Sequence, residues 1–420
     1  MDKFVITGGK RLEGKIRADG SKNAALPIIA ATILFKKGEV LLENVPPLRD
    51  IYTIKKVLEF IGARAEYDAG AMQMRIDCSN LNNNTAPYEL MRQMRASFLV
   101  LGPLLARMGE ARVSLPGGCV LGARPVDYHI MGFRSLGAEI SEESGYVVAK
   151  AKQLKGATIH FDRPSHTGTE NMIFGAAFAS GTTRIVNAAC DPEVVDVADF
   201  LNAAGAKISG AGTSTVTIEG VKRLNPVDFR ISGDRLVAGT FMCGAGITGG
   251  DIEVTGINPA HLTMVSRKLY EMGCEVIERR ASVSVRGPLK LKPVKVVTFP
   301  FPGFPTDLQP CVLALSTVAA GTSNIKETVF EDRFGHIMEL RRLGANVNVT
   351  LNEATVSGVD SLKGASVMAS DIRAGAGLTL ACLAAEGTSE LHRVYHIDRG
   401  YDRLDEKLSS LGADIKRVSG

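Results

Sequence analysis

The chain has 420 residues, 45% hydrophobic and 22% charged, the balance of an ordinary globular protein large enough for two or three domains. A net charge of +4 with no block of five like charges argues against a nucleic-acid surface and leaves acidic small molecules as partners. No apolar run reaches membrane-spanning length, and Met1 to Gly9 holds none long enough for a signal peptide, so no membrane association and a cytosolic, cytoplasmic residence are expected.

Seven cysteines, an odd number without metal-ligand spacing, read as reduced thiols. Most, such as Cys243, Cys311 and Cys382, sit in apolar runs as small core residues. A repeat organises everything else. Apolar segments end in glycine at Gly38, Gly109, Gly181, Gly249, Gly321 and Gly387, successive endings lying 71, 72, 68, 72 and 66 residues apart. A second series, Gly62, Gly137, Gly205, Gly273, Gly344 and Gly412, keeps step with it. One supersecondary unit of about 70 residues is copied six times, which favours two domains of three copies each.

In the first copy Ser21 is an N-cap candidate before a helix running from Lys22 to Leu34, with Pro27 early and apolar residues on nearly every side. A helix apolar all round is buried. Val40 to Glu43 reads as a strand, and Arg49-Asp50 leads into a second helix with Ile51, Ile54, Leu58 and Ile61 on one stripe, closed by Gly62. Alternating strand residues follow. The second copy departs from this template after Gly109. Its connection, Leu115-Pro116-Gly117-Gly118-Cys119-Val120-Leu121-Gly122-Ala123-Arg124, predicts a mobile loop of the kind that serves as a lid.

Cys119 in that loop has low steric protection, which suits nucleophilic or acid–base work, and Arg124 nearby favours its thiolate. Arg124 is also a two-pronged ligand for phosphate or carboxylate. Pro125, Val126, Asp127 and Tyr128 open the next helix, where Asp127 suits the helix dipole and His129 reads as a surface histidine. The remaining copies begin their buried helices at Ser165-His166-Thr167, Asp234-Arg235, Thr306-Asp307, and Asp371 with Arg373. The result is an α/β fold with buried helices at the middle of each domain. If equivalent helices point the same way, their starts gather free N–H groups, lysines and arginines on one face made for anions, although each polar residue could also be a simple cap. No P-loop, no Gly-x-Gly-x-x-Gly after a strand and no metal-binding histidine spacing is present, so no cofactor and no metal are expected.

These residues carry a resemblance. Ser21-Lys22-Asn23-Ala24-Ala25-Leu26-Pro27, Met94-Arg95-Ala96-Ser97, the Cys119 loop, Gly122-Ala123-Arg124-Pro125-Val126-Asp127, Gly303-Phe304-Pro305-Thr306-Asp307-Leu308-Gln309, Glu331-Asp332-Arg333-Phe334 and Ile397-Asp398-Arg399-Gly400-Tyr401 occur in order. In this the chain resembles the enolpyruvyl transferase family, and within it the branch that acts on UDP-N-acetylglucosamine. The resemblance implies a two-domain enolpyruvyl transferase fold, each domain a pseudo-threefold α/β prism that closes with its partner on substrate. It implies a division into residues 21–230, and 1–20 with 231–420.

The implied reaction moves the enolpyruvyl group of phosphoenolpyruvate to the sugar 3'-hydroxyl and releases phosphate, the committed step of peptidoglycan synthesis. Cys119 is then the general acid and Asp307 the base. Lys22, Asn23, Arg124 and Arg399 hold phosphoenolpyruvate. Arg95, the stretch Arg124 to Tyr128, Arg163, Ser165, His166, Asp307 and Val329 contact UDP-N-acetylglucosamine, while Arg333, Asp371 and Arg373 shape the electrostatics. Fosfomycin sensitivity, through Cys119, is typical of the family. The loop 164–171 and Tyr128 depart from the family pattern. A transferase for another nucleotide acceptor is the nearest rival.

Overall fold

A computed structural model of the chain describes residues 2–92, 94–115 and 126–419, the side chains of 95–97 excepted. The chain divides into two compact units, one running from Gly20 to Ser232 and the other joining the segment that ends at Asp19 to the one that starts at Gly233. The first contains helices α1 (Lys22–Ala31), α2 (Arg49–Phe60), α3 (Tyr88–Met91), α4 (Leu101–Met108), α5 (Asp127–Ser135), α6 (His166–Ala176) and α7 (Pro192–Ala203). The second contains α8 (Arg235–Thr248), α9 (Thr263–Glu271), α10 (Gln309–Ser316), α11 (Ile337–Arg342), α12 (Ile372–Ala384) and α13 (Leu404–Ser410).

Each copy of the repeat is a β-α-β-α-β-β unit. In the third, strand Thr158–His160 leads into α6, and the chain returns as Thr182–Val186, parallel to the strand it left. It then runs through α7 and closes with the hairpin of Lys207–Ser209 and Thr215–Glu219. Thr183 and Ile185 alternate inward, as do Val216 and Ile218 on the facing strand, because successive strand residues point to opposite faces. Both glycine series lie at positive φ, from 63° at Gly249 to 137° at Gly321. A Cβ is disfavoured there, which is why the period is written in glycine.

The helices predicted to be buried are so. Every residue of α1 except Asn23 is buried, and the same holds through most of α6, α8, α10 and α12. In the second unit α8, α10 and α12 pack on one another, closely enough that a Cβ on Gly377 of α12 would stand 2.6 Å from the Pro310 carbonyl of α10. The outer helices are amphipathic: α2 buries Ile51, Ile54, Val57 and Leu58. Truncating such a side chain, Ile54→Ala for example, removes about 2–5 kcal/mol. Each unit has its own core.

The ends of the chain complete the repeat. Lys3–Thr7 lies between Thr388–His392 and Asp414–Val418, antiparallel to both, in the position that the second hairpin strand fills in the other copies. Glu13–Arg17 then pairs in parallel with Asp251–Thr255. In the other unit, Phe229–Arg230 plays the same part beside Glu39–Glu43. Among the described residues, six four-stranded sheets result, three to a unit. Among the described residues no helix is long and apolar enough to cross a membrane.

Candidate active site

Four of the helix starts that the sequence marks as polar are true caps, whereas the Thr306-Asp307 start has none. Ser21 accepts the Ala24 amide, Ser165 that of Gly168, Asp234 those of Leu236 and Val237, and Asp371 those of Arg373 and Ala374. The cap holds the helix, and a basic residue, Lys22, His166, Arg235 or Arg373, follows it within two positions. Lys22, first in α1, reaches Asp50 in the first turn of α2 with its Nζ 3.4 Å from Oδ2. Their side chains are 10% and 5% exposed, so the pair is largely shielded from water. Asn23 follows, half-buried.

In the same unit, Val126 leads into α5, which starts at Asp127. The Tyr128 hydroxyl accepts the Arg163 amide at 3.2 Å, and its ring lies 5.2 Å from that of Phe161. The Arg163 side chain is exposed. The loop expected over 164–171 is shorter than that: from His166 onward these residues are the first two turns of α6. His166 Nε2 sits 3.0 Å from Glu170 Oε1, one turn along the helix. Burial disfavours the imidazolium, but the carboxylates of Glu170, Asp191 and Glu193 outweigh it and hold the His166 pKa up at about 10.

His129 corrects a sequence expectation, since it is buried rather than on the surface. Its Nδ1 meets the Asn171 amide at 2.9 Å and its Nε2 the Thr167 hydroxyl at 3.3 Å, which joins α5 to α6. Burial lowers its pKa to about 4, leaving a neutral ring.

The other unit assembles Asp307, Arg333, Asp371 and Arg373. Asp307 stands in the turn Thr306–Leu308 that leads into α10, its side chain 26% exposed. Its Oδ1 accepts from Arg333 Nη2 at 3.0 Å and its Oδ2 from Arg373 Nε at 3.1 Å. Two guanidiniums thus hold one carboxylate oxygen each, on a side chain that keeps part of its surface exposed. Asp371, as the cap of α12, fixes the backbone at Arg373, whose guanidinium also lies 5.3 Å from the Tyr401 ring. Arg399 ends the turn Val394–Arg399, just before Gly400, which lies against Ile372 in the first turn of α12.

Glu327, which no motif marks, organises this region. Its carboxylate accepts from the hydroxyls of Thr298 and Thr306 and from the amides of Val329 and Phe330. It therefore ties Val329 to the turn that carries Asp307. Asp50 and Glu170 are likewise partners without a motif; for Glu170 the spacing of four residues from His166 on a helix is a usable signal, and for Glu327 there is none. Cys119, Arg124 and Pro125 lie outside the described residues, as does the side chain of Arg95, whose backbone opens the turn Arg95–Val100.

Known proteins resemble this chain over its full length. The family described as EPSP synthase (3-phosphoshikimate 1-carboxyvinyltransferase) matches residues 6–408. A UDP-N-acetylglucosamine 1-carboxyvinyltransferase of Desulfosudis oleivorans is 51% identical over 419 residues, covering 100% of both chains. One from Trichlorobacter lovleyi is 52% identical over 420 residues, again covering 100% of both. Among solved structures, the enolpyruvyl transferase NikO from Streptomyces tendae superimposes with a TM-score of 0.89 at 27% identity, covering 100% of this chain and 99% of its own. An EPSP synthase from Acinetobacter baumannii gives 0.78 at 19% identity, covering 100% of both, a likeness of fold alone.

Proposed function

Because the chain belongs to the EPSP synthase family, and within it to the UDP-N-acetylglucosamine 1-carboxyvinyltransferases, we propose that it transfers the enolpyruvyl group of phosphoenolpyruvate to the 3'-hydroxyl of UDP-N-acetylglucosamine. Phosphate is released, and the product commits the sugar nucleotide to peptidoglycan. The observation that supports this reading beyond likeness is the carboxylate of Asp307, oriented by Arg333 and Arg373 and still partly exposed.

In this reading the sugar oxygen bonds to C2 of phosphoenolpyruvate, its proton passes to Asp307, and the Cys119 thiol protonates the methylene carbon. Loss of phosphate with a proton from the new methyl group restores the vinyl group. Lys22, Arg124 and Arg399 hold the phosphate and carboxylate of phosphoenolpyruvate, with Asn23 beside the tetrahedral centre. These cations stabilise charge that builds up during addition. Arg95, Pro125, Val126, Asp127, Tyr128, Arg163, Ser165, His166 and Val329 form the sugar-nucleotide set.

Phosphate release from phosphoenolpyruvate tests the proposal, with UDP-N-acetylglucosamine, shikimate 3-phosphate or no acceptor present. Release that requires the sugar nucleotide supports it. Release only when another nucleotide replaces the sugar nucleotide would favour the second reading, and absence of release with every acceptor would sink both.

A further inference from the structure

The strands Lys295–Val297 and Thr322–Lys326 are parallel neighbours, so Thr298 and Glu327, the residues that follow them, leave one sheet side by side. The loop after Thr298 returns to it at Phe304, two residues before Thr306 and the turn that carries Asp307. The segment after Glu327 passes through Val329 and Phe330 to Arg333. Glu327 is 2% exposed, and its carboxylate joins these two segments. Oε1 accepts the Thr298 hydroxyl at 2.7 Å and the amides of Val329 and Phe330 at 2.7 and 3.1 Å. Oε2 accepts the Thr306 hydroxyl at 2.9 Å. The backbone of Glu327 is held as well, its amide donating to the Asn352 carbonyl and its carbonyl accepting the Asn352 side-chain amide, both at 2.8 Å.

These bonds close a ring around Asp307. One arm runs from Glu327 through the Thr306 hydroxyl to the neighbouring Asp307. The other runs through the Phe330 amide to Arg333, whose guanidinium lies 5.6 Å from the Phe330 ring and donates to Asp307 Oδ1 at 3.0 Å. The four donors to Glu327 are two hydroxyls and two amides, all uncharged. A carboxylate only accepts, so every donor is obliged to point inward, and neither arm can swing without leaving a buried oxygen short of a partner. Burying a carboxylate costs more than burying an apolar side chain of the same size, so packing alone does not account for it.

We propose that Glu327 is a positioning residue for the transfer, setting at once the backbone that carries the base Asp307 and, through the Val329 amide, the segment that meets the acceptor. The inference rests on the roles given above to Asp307 and Val329. The carboxylate that takes the proton and the sugar that gives it are thereby referred to one anchor. Such alignment matters because a misplacement of about 1 Å costs about a hundredfold in rate. Glu327 itself touches no reacting atom in this arrangement; it acts through Thr306, Val329 and Phe330.

Phosphate-release kinetics of the full-length enzyme with phosphoenolpyruvate and UDP-N-acetylglucosamine test it. Thr306→Val cuts one arm and preserves shape, whereas Glu327→Ala cuts both. Thr306→Val should lower kcat about tenfold and leave the KM for UDP-N-acetylglucosamine within about twofold, since Val329 keeps its bond. Glu327→Ala should lower kcat about a hundredfold and raise that KM about tenfold; if it does not fold, Thr306→Val carries the test. A double-mutant cycle gives the readout that a merely structural role would not move. On an Asp307→Asn background, Thr306→Val should cost less than about twofold in kcat, because it acts through a base already lost.

A folded Thr306→Val enzyme with the kcat of the parent overturns the proposal, and so does a tenfold loss that persists on the Asp307→Asn background. Failure of the underlying reaction looks different. A parent that releases no phosphate with any acceptor, or an Asp307→Asn enzyme with near-normal kcat, removes the reaction or its base, and the anchor falls with them.

Discussion

Asp307 is the common partner of two guanidiniums whose side chains are 2% and 5% exposed. Asp307→Ala therefore removes the proposed base and uncovers two buried charges together, and it should cost about 3 kcal/mol of stability as well as activity. Asp307→Asn keeps an oxygen acceptor but cannot take a proton. It should lose about a thousandfold in kcat with the smaller loss of stability. Urea unfolding beside phosphate-release kinetics separates the two, and an Asn variant with near-normal kcat would remove Asp307 from the role of base. Thiol chemistry gives a second prediction. Burial pushes Cys78 and Cys311 up to about 11 and Cys274 and Cys382 up to about 12, so these stay protonated and shielded. Fosfomycin should accordingly label Cys119 alone by peptide mass mapping; labelling elsewhere, or none in active enzyme, counts against its role as the acid. Asp307 was marked in the sequence by the motif around it. The company Asp307 keeps was not, because Arg333 and Arg373 lie 26 and 66 residues away and only the fold brings them in.

Among the elements, the two glycine series were readable because positive φ is a demand that few other residues meet. Gly137 lies at φ +86°, and a Cβ added there would meet nothing within 4 Å, so Gly137→Ala should cost about 1 kcal/mol from backbone strain alone. Gly175 within α6 is the opposite case. Alanine suits a helix better there, yet its Cβ would stand 2.6 Å from the Phe133 ring on α5, and overpacking should outweigh propensity by about 1–2 kcal/mol. A Gly175→Ala variant that melts higher than the parent would show that α5 yields easily. His129 joins the same two helices and could not be placed from sequence, since nothing local distinguishes an inward-facing imidazole from a solvated one. Its folded pKa, lowered to about 4 by burial, lies below the ordinary value near 6.5. Its contribution is fully present above pH 6.5 and is lost as pH falls towards 4, where the unfolded chain binds the extra proton, for a total of about 3 kcal/mol. Denaturant unfolding of the parent and of His129→Gln across this range should show the parent losing more stability; parallel curves would contradict it.

For the whole molecule, periodicity foretold six copies but could not reveal that the sixth is completed by the beginning of the chain. Lys3–Thr7 and Glu13–Arg17 carry no mark of belonging with residues several hundred positions away, because strand pairing leaves only alternation in the sequence. Deleting residues 2–19 strips a strand from each of two sheets in the unit built on α8, α10 and α12. That unit should lose its cooperative transition and become protease-sensitive, while residues 20–232 persist as a resistant fragment identifiable by mass. Equal resistance of both units would show that the two strands are dispensable.

The same closure sets a timetable for a nascent chain. Lys3–Thr7 is made first, but its partners Thr388–His392 and Asp414–Val418 are made last. At about 5–20 residues per second the ribosome leaves that first strand without its neighbours for tens of seconds. The segment from Gly20 to Ser232 has all its strand partners well before then, so it can fold during synthesis while the strand ahead of it waits with open edges. Exposed edges of this kind invite pairing with other chains, and the lysines and glutamate spread along Glu13–Arg17 and Lys3–Thr7 serve to keep such encounters short.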